Sequence, residues 1–308
     1  MNAVFLERAA SLETPLREAA PLAPRTSWRI GGPARWLCEP PRSEFPLWVR
    51  VARETRIPWR VLGRGSNVLI DDAGLPGLTL STARMTGLRR EGDFLEVEGG
   101  APLSRLVREA ADLGWTGYEF LAGIPGSVGG AIVMNAGTSL RPEEQIAFLL
   151  CEAEVMDRRG ELRWVSPEAL DPGCRTSAAK RKGWVVLRAR LRKPGEGSPA
   201  EIRRRISERL ESRRRRQPLE RPSAGSVFKN PPGGRPAWSY IREAGLAGCR
   251  VGDAQVSERH ANWILNMGRA TAAEVRTLIA RIQEAVAERF GVRLEREVVF
   301  LPQDESGA

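Results

Sequence analysis

The chain is poor in histidine, lysine, tyrosine and cysteine. Its 308 residues contain one histidine, His260, and two tyrosines, Tyr118 and Tyr240. A single histidine excludes a zinc centre built on two or three imidazoles, and any Ser-His-Asp triad would have to run through His260. The four cysteines, Cys38, Cys151, Cys174 and Cys249, show no C-x-x-C spacing, which argues against an iron–sulfur cluster or a structural zinc. No metal is expected. The opening MNAVFLERAASLE lacks a basic segment followed by an apolar one, so no signal peptide is expected and a reducing, cytoplasmic setting follows. Only Lys180, Lys182, Lys193 and Lys229 are lysines, so arginine makes up 44 of the 48 basic residues behind the net charge of +10. The planar guanidinium suits phosphate and carboxylate, which points to anionic partners; a compositional bias without functional meaning is the alternative.

With 42% hydrophobic and 28% charged residues, the chain can bury a real core in two domains or one large one. One stretch imitates a membrane span: Phe120 to Leu140 carries no charge. It contains Pro125 and five glycines, so it reads as a buried loop lining a ligand and not as a lipid-facing helix. The first third alternates strands with glycine turns. Strand character marks residues 59–63, 67–70 and 94–97, and amphipathic helices are expected at 43–56 and 101–113. Further strands are expected at 151–156, 161–165 and 184–192.

After the turn-rich Pro194–Ala200 comes an arginine-rich helix, 201–217, with Ile202, Ile206 and Leu210 on one stripe. It lacks the interleaved aromatics of a nucleic-acid-binding arm, so a solvated connecting helix is the better reading. A helix at 237–244 and a strand at 263–266 follow. A long helix is then expected from Thr271, with Glu274 placed for a capping box, and a closing strand from Arg293 to Leu301.

Several motifs carry possible chemistry. Gly63-Arg64-Gly65-Ser66-Asn67-Val68-Leu69 sits between two strands, where glycines let main-chain N–H groups converge on an anion. It lacks the third glycine of the dinucleotide fingerprint and enters a strand, so a plain hairpin turn competes. Gly123-Ile124-Pro125-Gly126-Ser127 leads through Gly130 to Asn135-Ala136-Gly137; the competing reading is a glycine-rich helix packed on a sheet. Two such loops in one domain favour a dinucleotide ligand. Ser226, Lys229 and Asn230 place a hydroxyl, an ammonium and an amide in one short turn, which a helix cap would also explain. Arg175 precedes a basic stretch, and strand alternation would put Glu295 and Glu297 on one face. Taken alone, each of these charges reads as a surface residue and His260 as a structural one.

Taken together and in this order, the segments resemble the bacterial UDP-N-acetylenolpyruvoylglucosamine reductases (UDP-N-acetylmuramate dehydrogenases) of peptidoglycan synthesis. The resemblance runs from Thr26 to Leu301, through TSWRIGGPA at 26–34, the two glycine loops, GSVFKNP around Ser226 and VSERHAN at 256–262. It implies an α/β (α+β) architecture: an FAD-binding fold of the vanillyl-alcohol oxidase/PCMH type in two subdomains, 1–80 and 81–195, and a C-terminal α/β substrate-binding domain, 196–308, with a polar tail at 301–308. No tyrosine-bearing insertion is evident, which resembles the compact subclass without that loop.

The resemblance further implies non-covalent FAD held by the residues of the two loops, with NADPH as co-substrate using the substrate's pocket in turn. Arg175 and Glu297 match the residues that stabilise the enolate, and Ser226 matches the proton donor. Lys229, Asn230 and Arg216 become candidates for the UDP diphosphate and His260 for a substrate contact. Cys174 stands where the family commonly has tyrosine. No nucleic acid or membrane partner is expected, and the chain is expected to be a monomer or weak oligomer. The competing readings are an FAD-dependent oxidase of the same fold acting on a small alcohol or sugar, and a basic nucleic-acid-binding protein.

Overall fold

The computed structural model describes residues 2–139 and 141–302, so Leu140 and residues 303–308 of the expected polar tail lie outside the described residues. The chain forms two compact units, each built from separated segments. The first comprises residues 1–18, 36–64 and 77–213; the second comprises 19–35, 65–76 and 214–308.

The first unit holds a five-stranded antiparallel sheet whose strand order is Leu162–Val165, Leu150–Met156, Val185–Arg192, Phe94–Glu98, Leu88–Glu91. Leu95 and Val97 lie beside Val155, Val186, Ala189 and Leu191 in one buried cluster, a bulge between Val186 and Arg188 resetting the alternation. The amphipathic helix Leu103–Asp112 lays Leu103, Leu106, Val107 and Ala110 onto that cluster. Arginines occupy the opposite face. Arg188 and Arg190 bond to Glu154, Glu96 and Glu152 and stack over Trp164 with the guanidinium carbons 4.8 and 4.9 Å from the ring centre. Much of the arginine surplus is therefore used inside the fold, as paired charge and cation–π contact.

A smaller sheet has the order Arg17–Pro21, Pro33–Cys38, Leu75–Ser81, Trp59–Leu62, with Trp59 to Leu62 running parallel to Leu78 to Ser81. Helix Phe45–Glu54 covers it with Phe45, Trp48, Val49 and Ala52. The arginine-rich segment is the helix Pro199–Arg216. Ile202 is fully buried and Ile206 and Leu210 pack against the first unit's core, while Arg203, Arg205 and Arg209 pair with Asp112, Glu119 and Glu144. Among the described residues no helix is long and apolar enough to cross a membrane; the uncharged stretch supplies only the short helix Val128–Val133.

The second unit packs helix Ala272–Phe290 against a three-stranded sheet, Arg250–Val251, Ala254–Val256 and Ile264–Asn266. Thr271 and Glu274 form the capping box that their spacing predicts. The Asp72 carboxylate accepts the Ala272 and Ala273 amides at 2.8 and 3.0 Å, satisfying further donors of the first turn. Trp28, fully buried, donates its indole N–H to Ile264 O at 2.7 Å, so the TSWRIGGPA segment is built into this unit.

The closing strand is shorter than the pattern predicts. Only Val299–Leu301 is strand, pairing in parallel with Val68–Ile70. Residues 295–297 instead run antiparallel beside Val227–Lys229 as an isolated bridge, Arg296 opposite Phe228, with Lys229 N donating to Glu295 O and Glu297 N to Val227 O. The segment changes partner between Glu297 and Val299, which breaks the regular alternation. Glu295, exposed, ion-pairs with Lys229.

Candidate active site

The first unit carries Gly63, Arg64 and the second glycine loop. Strand Trp59–Leu62 ends at Gly63, and Leu62 O accepts the Thr82 amide at 3.1 Å, so the neighbouring strand anchors the turn. A Cβ on Gly63 would lie 3.1 Å from Ser127 Oγ, so the two loops abut. Arg64 is exposed.

In the second loop Gly123 and Gly126 take φ of +76° and +131°, conformations that side chains resist. Ser127, buried, caps helix Val128–Val133 by accepting the Gly130 amide at 3.3 Å. That helix lies directly on the sheet: Gly129 N donates to Gly99 O at 2.8 Å, and a Cβ on Gly129 would meet Gly99 O and Val186 O at 2.9 Å. Ile124 packs against the core while Gly123, Pro125 and Gly130 stay exposed at the rim.

Asn135, Ala136 and Gly137 close this loop and meet Arg175. Arg175 sits at φ +55°, a left-handed conformation uncommon outside glycine, and its guanidinium donates to Gly137 O at 2.9 Å. Ser177 donates its hydroxyl to Val133 O at 2.8 Å and caps the next helix, Ala178–Lys182. Cys174 is exposed beside them.

The second unit carries the rest of the first loop. A Cβ on Gly65, at φ +62°, would come within 2.1 Å of Arg25 O, and Gly65 O accepts the Ser27 amide at 3.0 Å. Ser66, Asn67 and Val68 are half-buried and Leu69 is buried. Asn67 donates its side-chain amide to Glu297 O at 3.1 Å, and Asn67 O accepts from Val299 N at 3.0 Å, so this loop also fixes the backbone of Glu297.

Ser226, half-buried, bridges to Trp263, and Asn262 fixes the backbone just beyond it. The Asn262 amide accepts from Phe228 N at 2.9 Å and donates to Phe228 O at 2.8 Å. Asn262 lies in the VSERHAN motif, yet nothing in its spacing from Ser226 announces this clamp.

Among the substrate candidates, Lys229 is ion-paired with Glu295 at 2.5 Å, and the Asn230 side-chain Oδ1 accepts the Ala237 amide at 3.0 Å at the start of helix Ala237–Glu243. Arg216 is exposed. His260 stands between Trp238 and Trp263, with ring centres 6.3 and 6.1 Å away. Burial holds its pKa below the usual imidazole value, and Nδ1 is buried with no partner among the described residues.

Two observations test the fit of an anionic dinucleotide to the first unit. The abutting loops present main chain where a side chain would fill the space. Arg213, a residue the arginine run gives no means of singling out, packs on Gly123, with its Cδ and Nε 2.9 Å from the position of an added Cβ. Burial lowers its pKa, and among the described residues no carboxylate pairs with it and its Nε has no partner. A half-buried guanidinium whose Nε is desolvated without a counter-charge is costly unless an anion completes it. The residues present fit.

Fold and site define a flavin-binding oxidoreductase architecture: residues 43–166 match the model of an FAD binding domain. Residues 217–301 match the C-terminal domain of UDP-N-acetylenolpyruvoylglucosamine reductase. The chain is 42% identical to the enzyme of that name from Synechococcus sp. (strain JA-3-3Ab), covering 95% of this chain and 93% of that one. It is 44% identical to the one from Moorella thermoacetica, over 90% of each. The crystal structure of the Thermus caldophilus reductase superposes with a TM-score of 0.78 at 38% identity, covering 94% of this chain and 98% of that one. The chain belongs to the UDP-N-acetylenolpyruvoylglucosamine reductase family.

Proposed function

We propose that this chain reduces UDP-N-acetylglucosamine enolpyruvate to UDP-N-acetylmuramate at the expense of NADPH, in peptidoglycan synthesis and hence cell-wall biogenesis and division. The observation that carries the reading is 42% identity to a reductase of that name across 95% of the chain. The relationship favours it over the oxidase alternative. Non-covalent FAD accords with glycine loops that contain neither histidine nor cysteine.

Bound FAD would supply the redox chemistry, relaying a hydride from NADPH to the methylene carbon of the enolpyruvyl ether. Residues 63–69 and 123–137 hold the cofactor through the positions named above, Gly63 to Leu69, Gly123 to Ser127, Gly130 and Asn135 to Gly137. Arg175 faces the substrate carboxylate as charge flows into it from the neighbouring carbon; a fixed cation there lowers the barrier with little reorganisation. Glu297 assists the same enolate through a hydrogen bond. Ser226 gives its hydroxyl proton to the carbanionic carbon, a role suited to a neutral donor that carries no desolvation penalty of charge. Lys229, Asn230 and Arg216 contact the diphosphate, and His260 the substrate.

Residues 1–80 and 81–195 serve FAD and 196–308 the nucleotide-sugar, a division supported by the matched ranges 43–166 and 217–301. The enzyme works in the cytoplasm as a monomer or weak oligomer, and NADPH and the nucleotide-sugar use one pocket in turn. The test is anaerobic: bound flavin is reduced with NADPH, and the UDP-enolpyruvyl sugar is added. Rapid return of the oxidised flavin spectrum is expected; a flavin that stays reduced would overturn the reading.

A further inference from the structure

The corner that presents Arg175 is held from behind by two side-chain amides. Asn135 is only 2% exposed and sits at φ +44°. Its Nδ2 donates to Gln145 Oε1 at 2.7 Å and to Gly173 O at 3.1 Å, and its Oδ1 accepts the Ala147 amide at 3.4 Å. Both amide hydrogens are engaged inside the first unit, so the side chain has no donor left for a ligand. Gly173 stands two residues before Arg175, and the 173–176 turn is closed by Gly173 N donating to Thr176 O at 3.0 Å.

The opposite strand of this corner is gripped in turn. Gly137 and Gln145 form an antiparallel bridge, and a Cβ on Gly137 would lie 2.2 Å from Glu144 O. Three contacts then lock the Arg175 turn to residues 133–137: Asn135 to Gly173 O, Arg175 to Gly137 O and Ser177 to Val133 O. Left-handed backbone at a non-glycine residue persists only where its surroundings over-determine it, and here they do.

From this we infer that the side chains of Gln145 and Asn135 are positioning groups for Arg175, acting through Gly173 O; neither side chain touches flavin or substrate, and Asn135 serves the cofactor only through its main chain. The inference rests on the reading of Arg175 as the cation facing the substrate carboxylate. Gln145 contributes an acceptor, so glutamate can replace it; an apolar residue leaves the Asn135 amide short of a partner and frees the turn. A guanidinium displaced by about an ångström loses its alignment with a carboxylate gaining charge, an effect on the order of 100-fold.

The experiment uses FAD-loaded enzyme and the variants Q145L, Q145M and Q145E, each also combined with R175A. Flavin content, flavin reduction by NADPH and re-oxidation by the UDP-enolpyruvyl sugar are measured by stopped flow. Q145L and Q145M should keep flavin reduction near the wild-type rate while re-oxidation slows by about 10- to 100-fold, and Q145E should restore it. In the R175A background Q145L should add no further loss. Wild-type re-oxidation in flavin-loaded Q145L or Q145M, or a Q145L penalty fully additive with R175A, overturns the proposal alone. Re-oxidation unaffected by R175A itself overturns the reading of Arg175 and this inference with it.

Discussion

Gly63 and Ser127, 64 positions apart in the chain, stand against each other: a methyl group on Gly63 would lie 3.1 Å from the Ser127 hydroxyl. Two loops that each resemble an ordinary turn thus become one surface of main chain. Ser127 is already occupied capping its own helix, so it cannot readily move aside. Gly63→Ala should therefore leave the fold in place and weaken FAD retention about tenfold, close to 1.4 kcal/mol. Flavin absorbance after extensive dialysis, against thermal unfolding of the apoprotein, measures the two effects separately.

Gly65 is held more tightly than Gly92, although both have φ near +60°. An added Cβ at Gly65 meets Arg25 O at 2.1 Å, whereas at Gly92 nothing lies within 4 Å. Gly92→Ala should cost only the left-handed backbone penalty, about 1–2 kcal/mol. Gly65→Ala must also push main chain apart and should cost about 3 kcal/mol or more. Urea unfolding of the two variants checks the order.

Ser226→Ala should leave flavin reduction by NADPH within about twofold of wild type and slow re-oxidation by the enolpyruvyl sugar by about 10²–10⁴-fold, the range of a lost proton donor. Equal loss in both half-reactions would make Ser226 a structural residue of the turn clamped by Asn262.

The arginine-rich helix offers a stability test. Arg205 bonds to Glu119, whose side chain is 8% exposed, whereas the Arg204–Glu208 pair is open to water with both side chains about 60% exposed. Arg205→Met strands a buried carboxylate and should cost about 3–5 kcal/mol; Arg204→Met should cost no more than about 0.5 kcal/mol. Burial alone would raise the Glu119 carboxyl, but hydrogen bonds from Arg205, Thr116 and the Gly117 amide outweigh it and hold its pKa low. A carboxyl depressed in the folded state stabilises above its unfolded value and loses that contribution as the pH falls through its folded value. Arg205→Met removes one of the groups that hold this carboxyl low, so its penalty against the wild type should shrink as the pH falls and Glu119 takes up a proton.

His260 acts in the same direction by a different route. Burial, with the Arg242 charge adding to it, lowers its pKa. Below the unfolded value of about 6.5 the unfolded chain takes up a proton that the folded chain refuses, so stability falls as the pH drops. The urea midpoint of the wild type should decline between pH 7.5 and 5.5, and His260→Gln should flatten that part of the curve.

What was legible in the sequence is what glycine, capping residues and periodicity encode locally. The capping box of Thr271 and Glu274, the stripe Ile202, Ile206 and Leu210, and the alternating strand Val185–Arg192 each depend on neighbours within a few positions. The last strand, Val299–Leu301, is shorter than its sequence pattern because the chain changes partner between Glu297 and Val299, and partner choice leaves no mark on alternation. The arginines were ambiguous for a related reason. Whether a guanidinium serves a fold or a ligand depends on the carboxylates around it: Arg188 finds Glu154 and Glu96, while Arg213, half-buried over Gly123, finds none among the described residues.

The sequence by itself determined the α/β elements, the two glycine loops and the family, because motif order and local propensity survive without coordinates. The tertiary structure alone decided that Gly63 meets Ser127, that Asn67 binds the backbone of Glu297, and that the Asn135 amide is spent on Gln145 and Gly173. Those contacts join residues tens to hundreds of positions apart, and a hydrogen bond forms only when folding has brought both partners within about 3 Å.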